Sequence, residues 1–183
     1  MSVKYKIRDQ TKLHFVTFAV VEWVDVFTRS MYKDAVVESL KFCQKHKGLV
    51  VYAWCIMTNH VHLINSSLDG FRQEDNLRDL KKHTSKQLIA KIMENPQESR
   101  KNWMLWLFKE AGRKNSNNKN YQFWRQDNHP IELSTNQLMD QKLAYIHNNP
   151  VEAGIVDEPE SYLYSSARDY AGRAGLNEIN FIE

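Results

Sequence analysis

The feature that most constrains this chain is a nearly unbroken apolar run, Leu49 to Met57 (LVVYAWCIM), followed after only Thr58 and Asn59 by a second β-prone run, His60 to Ser66 (HVHLINS). A continuous apolar run of this length reads as a strand buried on both faces. The two-residue break leaves room for a tight turn and little else, so the two runs read as a hairpin. Upstream, Lys12 to Trp23 (KLHFVTFAVVEW) is rich in β-branched and aromatic residues and reads as a first strand. Between them, Ser30 to Lys47 places Ala35, Val36, Leu40 and Cys43 at helical spacing, with Ser30 as the N-cap and Gly48 as the stop. Strand, helix, hairpin is the opening half of a ferredoxin-like βαββαβ arrangement.

Beyond the hairpin, Asp75 to Met93 reads as a helix with a basic polar side, interrupted at Asn95-Pro96. An aromatic-rich helix follows from Ser99 to Glu110, then the polar stretch GRKNSNNKN (Gly112 to Asn120), read as a loop. Tyr121 to Arg125 is a candidate short strand. Ser134 caps a last helix through Leu138, Leu143 and Ile146 that ends at Asn149-Pro150, with Asn149 as a C-cap. The expected class is α+β: an antiparallel sheet with helices on one face, a helical insert at about 95–120, and an extension, 151–183, packed on the domain formed by 1–150.

Charge is unevenly spread along the chain. Arg78 to Lys119 holds eleven Lys and Arg against four Asp and Glu, whereas the stretch after Gln126 holds three against ten. A basic block fits a phosphate-bearing partner and equally fits a solvated helix face. No apolar run approaches a membrane span, and Met1 to Thr11 lacks a secretory h-region, so a cytoplasmic protein is expected. Cys43 and Cys55 form no CxxC pair and read as buried free thiols.

The chemistry-bearing pattern is His60-Val61-His62. On a strand, residues i and i+2 share a face with Cα atoms ~6.6 Å apart, close enough for two imidazoles to meet one ion. On a helix they would diverge by roughly 200°. HxH alone is weak evidence. Tyr145 and Asn149 add to it, because an i, i+4 spacing puts both on one helix face. Asn149 offers an amide oxygen as a third ligand, and Tyr145 holds its phenol one turn away. Two imidazoles and an amide oxygen with open positions suit Mg²⁺ or Mn²⁺ holding a phosphate. A free tyrosine, with pKa ~10, is a poor nucleophile at neutral pH; a bound cation would polarise the phosphate it attacks. His147 is near in sequence but faces the other side of the helix.

These residues resemble a known family. Tyr145 to Val156 (YIHNNPVEAGIV) closely resembles the YIHxNPVxAGLV signature of the REP-associated tyrosine transposases, single-tyrosine HUH endonucleases of the IS200-like superfamily. Met57 to Leu63 (MTNHVHL) is similar to the family's MPNHVHL strand, with Thr58 where proline is common. Phe123-Trp124-Arg125-Gln126 with His129 resembles its aromatic-Trp-Gln segment, and Tyr164 to Tyr170 (YSSARDY) its YSSAxDY. The match runs from about Phe15 to Tyr170. The long insert and the acidic C-terminal region depart from the pattern.

The resemblance implies a ferredoxin-like fold, His60, His62 and Asn149 as metal ligands, and Tyr145 as a nucleophile forming a 5′-phosphotyrosine with single-stranded DNA beside a hairpin. A monomer or homodimer is expected. Lys81, Lys82 and Lys86, with Trp124, Arg125 and His129, are the candidate DNA contacts. Trp103, Trp106, Tyr121 and Trp124 are candidate stacking platforms, Trp106 reading rather as core. A reading from another class is a hairpin-DNA-binding protein that kept the fold without cleavage; the presence of both histidines, the tyrosine and the asparagine argues against it. A histidine-triad phosphotransferase would want a further His where Ile64 stands.

Overall fold

The computed structural model describes residues 7, 9–115, 120–126 and 128–182. Four strands form one antiparallel sheet in the order β2-β3-β1-β4: β1 (His14–Ala19), β2 (Leu49–Ile56), β3 (His60–Ser67) and β4 (Ile131–Glu132). This is the ferredoxin-like strand order, with β3 lying between β1 and β2. The hairpin forms where the sequence puts it, Leu49 pairing with Ser67 and Ile56 with Val61.

The helices are α1 (Ser30–Lys47), α2 (Gln73–Glu94), α3 (Lys101–Arg113), α4 (Asn136–Glu152) and the short α5 (Ala167–Tyr170). Asn76 on α2 donates to the Ser67 hydroxyl on β3 at 3.0 Å, and by strand alternation Val61 and Leu63 share that face. α1 packs along α2 over the same layer. Side chains at the intervening positions, His60 and His62, point the other way, where α4 lies. The expectation of helices on one face therefore holds for α1 and α2 and not for α4. Covering both faces is what allows β2 to be apolar almost throughout.

Several element ends differ from the sequence reading. β1 stops at Ala19, because Glu22 and Trp23 adopt positive φ (53° and 54°) and turn the chain into a single 3₁₀ turn, Val21–Trp23. α1 begins at Ser30 with Arg29 as its N-cap, so the Ser30 hydroxyl does not cap. Gly48 ends α1 at φ 64°, where any Cβ would run into the Phe71 ring. α4 is capped by Thr135, whose side chain accepts from the Leu138 amide, not by Ser134. It continues through Pro150 to Glu152, so Asn149 lies inside the helix and is no C-cap. Proline here removes one ladder bond with only two helical residues still to come.

Tyr121 to Arg125 makes one isolated bridge, Val20 to Trp124, and the fourth strand is the two-residue β4. The chain ahead of β4 follows the β1 edge irregularly, Arg125 N–H bonding Ala19 O and Thr17 N–H bonding Asn128 O. α3 reaches Arg113, past the expected loop start; 116–119 of that loop lie outside the described residues.

The insert is tied down through Glu98. Its carboxylate is 1% exposed, accepts from the Arg29 and Arg100 guanidinium groups at 3.2 Å each, and receives the Tyr32 hydroxyl. These donors hold it ionised below its ordinary range against the opposing effect of burial. The C-terminal region closes the free edge of β2. Ser165 bridges Cys55, while Ile56 N–H bonds Tyr164 O and Ser166 N–H bonds Trp54 O, both at 2.9 Å. Cys43 and Cys55 are free and buried, and burial pushes their thiols up to about 11 and about 12. Among the described residues no helix is long and apolar enough to cross a membrane.

Candidate active site

The pleat of β3 turns His60 and His62 toward α4, and β1 presents Phe15 and Thr17 beside them through the Thr17–His62 register. The two imidazole centroids are 4.5 Å apart. One turn of α4 separates Tyr145 from Asn149 and brings both onto this surface. The Tyr145 ring sits 5.1 Å from His62, edge-on, and 5.9 Å from Phe15. The Asn149 side chain lies beside His60, close enough to raise its pKa, while His60 Nδ1 shares a 2.6 Å hydrogen bond with Asn59 Oδ1. The four residues singled out from their spacing thus meet on the face that α4 covers. Tyr145 remains 41% exposed, so its hydroxyl end is reachable from solvent.

His62 is 3% exposed. Its Nδ1 shares a 2.9 Å hydrogen bond with Thr17 Oγ1, while Nε2 is buried without a partner. A buried ring nitrogen with no partner is costly, and one whose neighbour nitrogen is fixed by a hydrogen bond is the arrangement of a metal-binding imidazole. With the proton on Nδ1, donated to Thr17, the Nε2 lone pair is left for an ion. Burial pushes the His62 pKa down to about 3, with smaller contributions from His60 and Lys142. Burial also lowers His60, opposed by the neighbouring Asn149 side chain. Both rings are therefore neutral at pH 7 and able to donate lone pairs. Among the described residues no three His, Cys, Asp or Glu gather at one point; the side-chain amide of Asn149 is a further oxygen donor beside His60.

Lys142 was not singled out from the sequence. Its ammonium lies 4.9 Å from the Phe15 ring centroid and 5.5 Å from that of Tyr145. The i, i+3 spacing to Tyr145 was the available signal, but among 25 Lys and Arg one cation on a helix does not stand out. His147, as expected, faces away: its Nε2 shares a 3.0 Å hydrogen bond with Ser166 Oγ, and burial pushes its pKa down to about 4.

The other candidate contacts divide. Arg125 and His129 are exposed and line a cleft that adjoins the cluster. Trp124 is 6% exposed, donates from Nε1 to Thr84 Oγ1 at 2.9 Å and packs against Phe18, Phe27 and Phe123, so it offers no free face to a base. Lys81 donates to Arg125 O and to Asn128 Oδ1, at 2.6 Å each, tying α2 to the β1-edge segment. Lys82 and Lys86 border a groove between α1 and α2, on the sheet face away from the histidines. The helix register that makes α2 basic aims these two lysines away from the cluster. Trp106, expected in the core, is 62% exposed; α3 is a peripheral helix whose buried side carries Met104 and Phe108 instead.

No family model matches the chain, and no curated protein matches it. Among solved structures, one of a REP-associated tyrosine transposase bound to a REP hairpin superposes with a TM-score of 0.62 at 16% identity, over 100% of this chain and 94% of that one. A putative transposase from Deinococcus radiodurans R1 matches with a TM-score of 0.47 at 15% identity, over 80% of this chain and 97% of that one. The first likeness is one of fold.

Proposed function

We propose that this chain is a single-tyrosine DNA nuclease and strand transferase that cuts and rejoins single-stranded DNA beside a hairpin. The observation that carries the reading is the convergence of Tyr145 and Asn149 from α4 on His60 and His62 from β3, with His62 Nε2 buried and unpartnered. The shared fold with a transposase bound to a REP hairpin supports the choice of substrate.

His60, His62 and Asn149 would hold a divalent cation, Mg²⁺ or Mn²⁺. When bound it supplies Lewis-acid polarisation of the scissile phosphate. The Tyr145 oxygen attacks phosphorus; a tyrosine–phosphate bond forms, the bond to the 3′ oxygen breaks, and that oxygen leaves as a 3′ hydroxyl. The phenol proton passes to solvent, which reaches the partly exposed side chain. A 5′-phosphotyrosine remains and conserves the bond, so attack by a second 3′ hydroxyl rejoins strands without a nucleotide cofactor. Phe15 and His62, stacked on each other 5.5 Å apart, both meet the Tyr145 ring edge-on, restricting the directions its oxygen can take. The Lys142 ammonium, on the same helix face, is in position to balance charge on the non-bridging oxygens.

The test is a denaturing gel of end-labelled hairpin oligonucleotides incubated with Mg²⁺ or Mn²⁺. The native protein is expected to give a covalent adduct, and Tyr145→Phe to give none while still shifting the hairpin in a native gel. An adduct with the Phe variant would remove Tyr145 as the nucleophile. Hairpin binding by the native protein with no adduct under either metal would favour a binding protein without cleavage.

A further inference from the structure

Beside the cluster, on the same face of the sheet, lies a cleft of about 1020 Å³. Thr17 and Ala19 of β1, Glu22, Trp23, Arg125 and His129 are among the residues that line it. It is continuous with the candidate active site: Thr17 hydrogen-bonds His62, and the Trp23 ring meets His60 edge-on at 5.9 Å.

The backbone around this cleft is unusual. Three non-glycine residues have positive φ among the described residues, namely Glu22 (53°), Trp23 (54°) and His129 (44°), and all three line it. Side chains are held in that region only where surrounding structure enforces it, and such residues gather at ligand sites. At this turn the Trp23 side chain stands half-exposed, 50% accessible. The Arg125 guanidinium lies 5.3 Å from the ring centroid.

We propose that this cleft is a slot for an unpaired nucleobase next to the cut, with Trp23 as its stacking platform and Arg125 as the contact to the adjoining phosphate. A half-exposed indole beside a guanidinium is how single strands are held without base pairing, since every base has a π-face. Glu22, which lines the same cleft, would repel phosphate and could accept from an exocyclic amino group, favouring a base over the backbone there. The slot rests on the proposed function, and it gives Trp23, rather than the buried Trp124, the part of base platform.

The experiment is a binding cycle with the full chain. Hairpin oligonucleotides carry either an intact single-stranded flank, a flank with an abasic position stepped along it, or no flank. Trp23→Ala is expected to weaken binding of the intact flank roughly ten- to hundredfold and to leave the flankless hairpin unchanged. One abasic position should weaken the native protein by a similar factor and make no further difference to Trp23→Ala. Trp23→Phe should recover most of the loss, which a merely folded-state defect would not allow. Arg125→Ala should weaken flank binding and lower its salt dependence by about one phosphate contact. Equal affinity of native protein and Trp23→Ala for the intact flank, or an equal loss on the flankless hairpin, would overturn the slot. Because the readout is binding, a native protein that forms no adduct would refute the nuclease reading while leaving the slot to stand or fall separately.

Discussion

Thr17 is the most informative single position outside the four clustered residues. Thr17→Val keeps the side chain's shape and its preference for a strand, so the β1–β3 ladder has no reason to change. It removes the one hydrogen bond that the buried His62 ring makes, 2.9 Å to Nδ1. Since Nε2 already lacks a partner, neither nitrogen of a 3% exposed ring would then be satisfied. Without metal, an unsatisfied buried donor costs ~1–3 kcal/mol, and the midpoint of a urea melt should fall accordingly. With metal, the loss is larger in consequence, because the Thr17 hydroxyl orients the ring and can accept from Nδ1–H in the tautomer that leaves the Nε2 lone pair available. Loss of such outer-shell hydrogen bonds lowers metal affinity ~10- to 100-fold, or about 1.4–2.7 kcal/mol. Calorimetric titration with Mn²⁺ reads this directly, and Thr17→Ser, which keeps the hydroxyl, should return affinity to within a few fold. If Thr17→Val bound Mn²⁺ as tightly as the native chain, His62 would not be a ligand in the way argued.

Two further predictions follow from neighbouring side chains. Lys142→Met should slow covalent adduct formation by about a hundredfold, as loss of one charge-stabilising donor does elsewhere, with hairpin affinity changed only slightly and Lys142→Arg recovering much of the rate; an unchanged rate would assign the lysine to packing on Phe15. Burial depresses the folded-state pKa of His147 to about 4 and of His62 to about 3, so the unfolded chain takes up protons first as pH falls. Stability is then complete above pH ~6.5 and is lost toward pH 4, by ~2–3 kcal/mol from His147 alone. Denaturant melts at pH 7, 5 and 4 measure it, His147→Gln should flatten the slope, and a pH-independent native melt would contradict the burial argument.

Much of the fold was legible because its signals are local and periodic. The hairpin followed from an apolar run and a two-residue break, and α1 from its spacing and Gly48. The alternation that makes β3 a strand is the same alternation that puts His60 and His62 on one face, so that half of the site came with the secondary structure. The i, i+4 relation of Tyr145 and Asn149 was equally local. What could not be read were relations set by tertiary packing. The sequence of α2 reveals that it is basic but not which sheet face it covers, and that choice sends Lys82 and Lys86 away from the histidines. Trp124 sits in a polar, ligand-like segment, yet the gap between Phe18, Phe27 and Phe123 takes its ring. Trp23 reads as the end of a strand because positive φ in a non-glycine residue leaves no compositional trace. Pro150 looked like a terminator, and one lost ladder bond near the helix end did not terminate it.

The shortness of β4 explains why cluster and cleft lie side by side. β4 pairs with His14 and Phe15 only; from Thr17 onward the β1 edge is followed by an irregular segment held by single backbone bonds from Thr17, Arg125 and Val21. The irregular segment buries Phe123 against Phe108 of α3 and Trp124 against Thr84 of α2, and leaves Arg125 and His129 exposed along the cleft. On the other side of the histidines, α4 is held down by His147 against Ser166 and Tyr170, from the same segment that closes the β2 edge. One flank of the site is thus fixed by a buried helix contact and the other is left open by an interrupted strand. The proposed nucleophile would need the first and the proposed single strand the second.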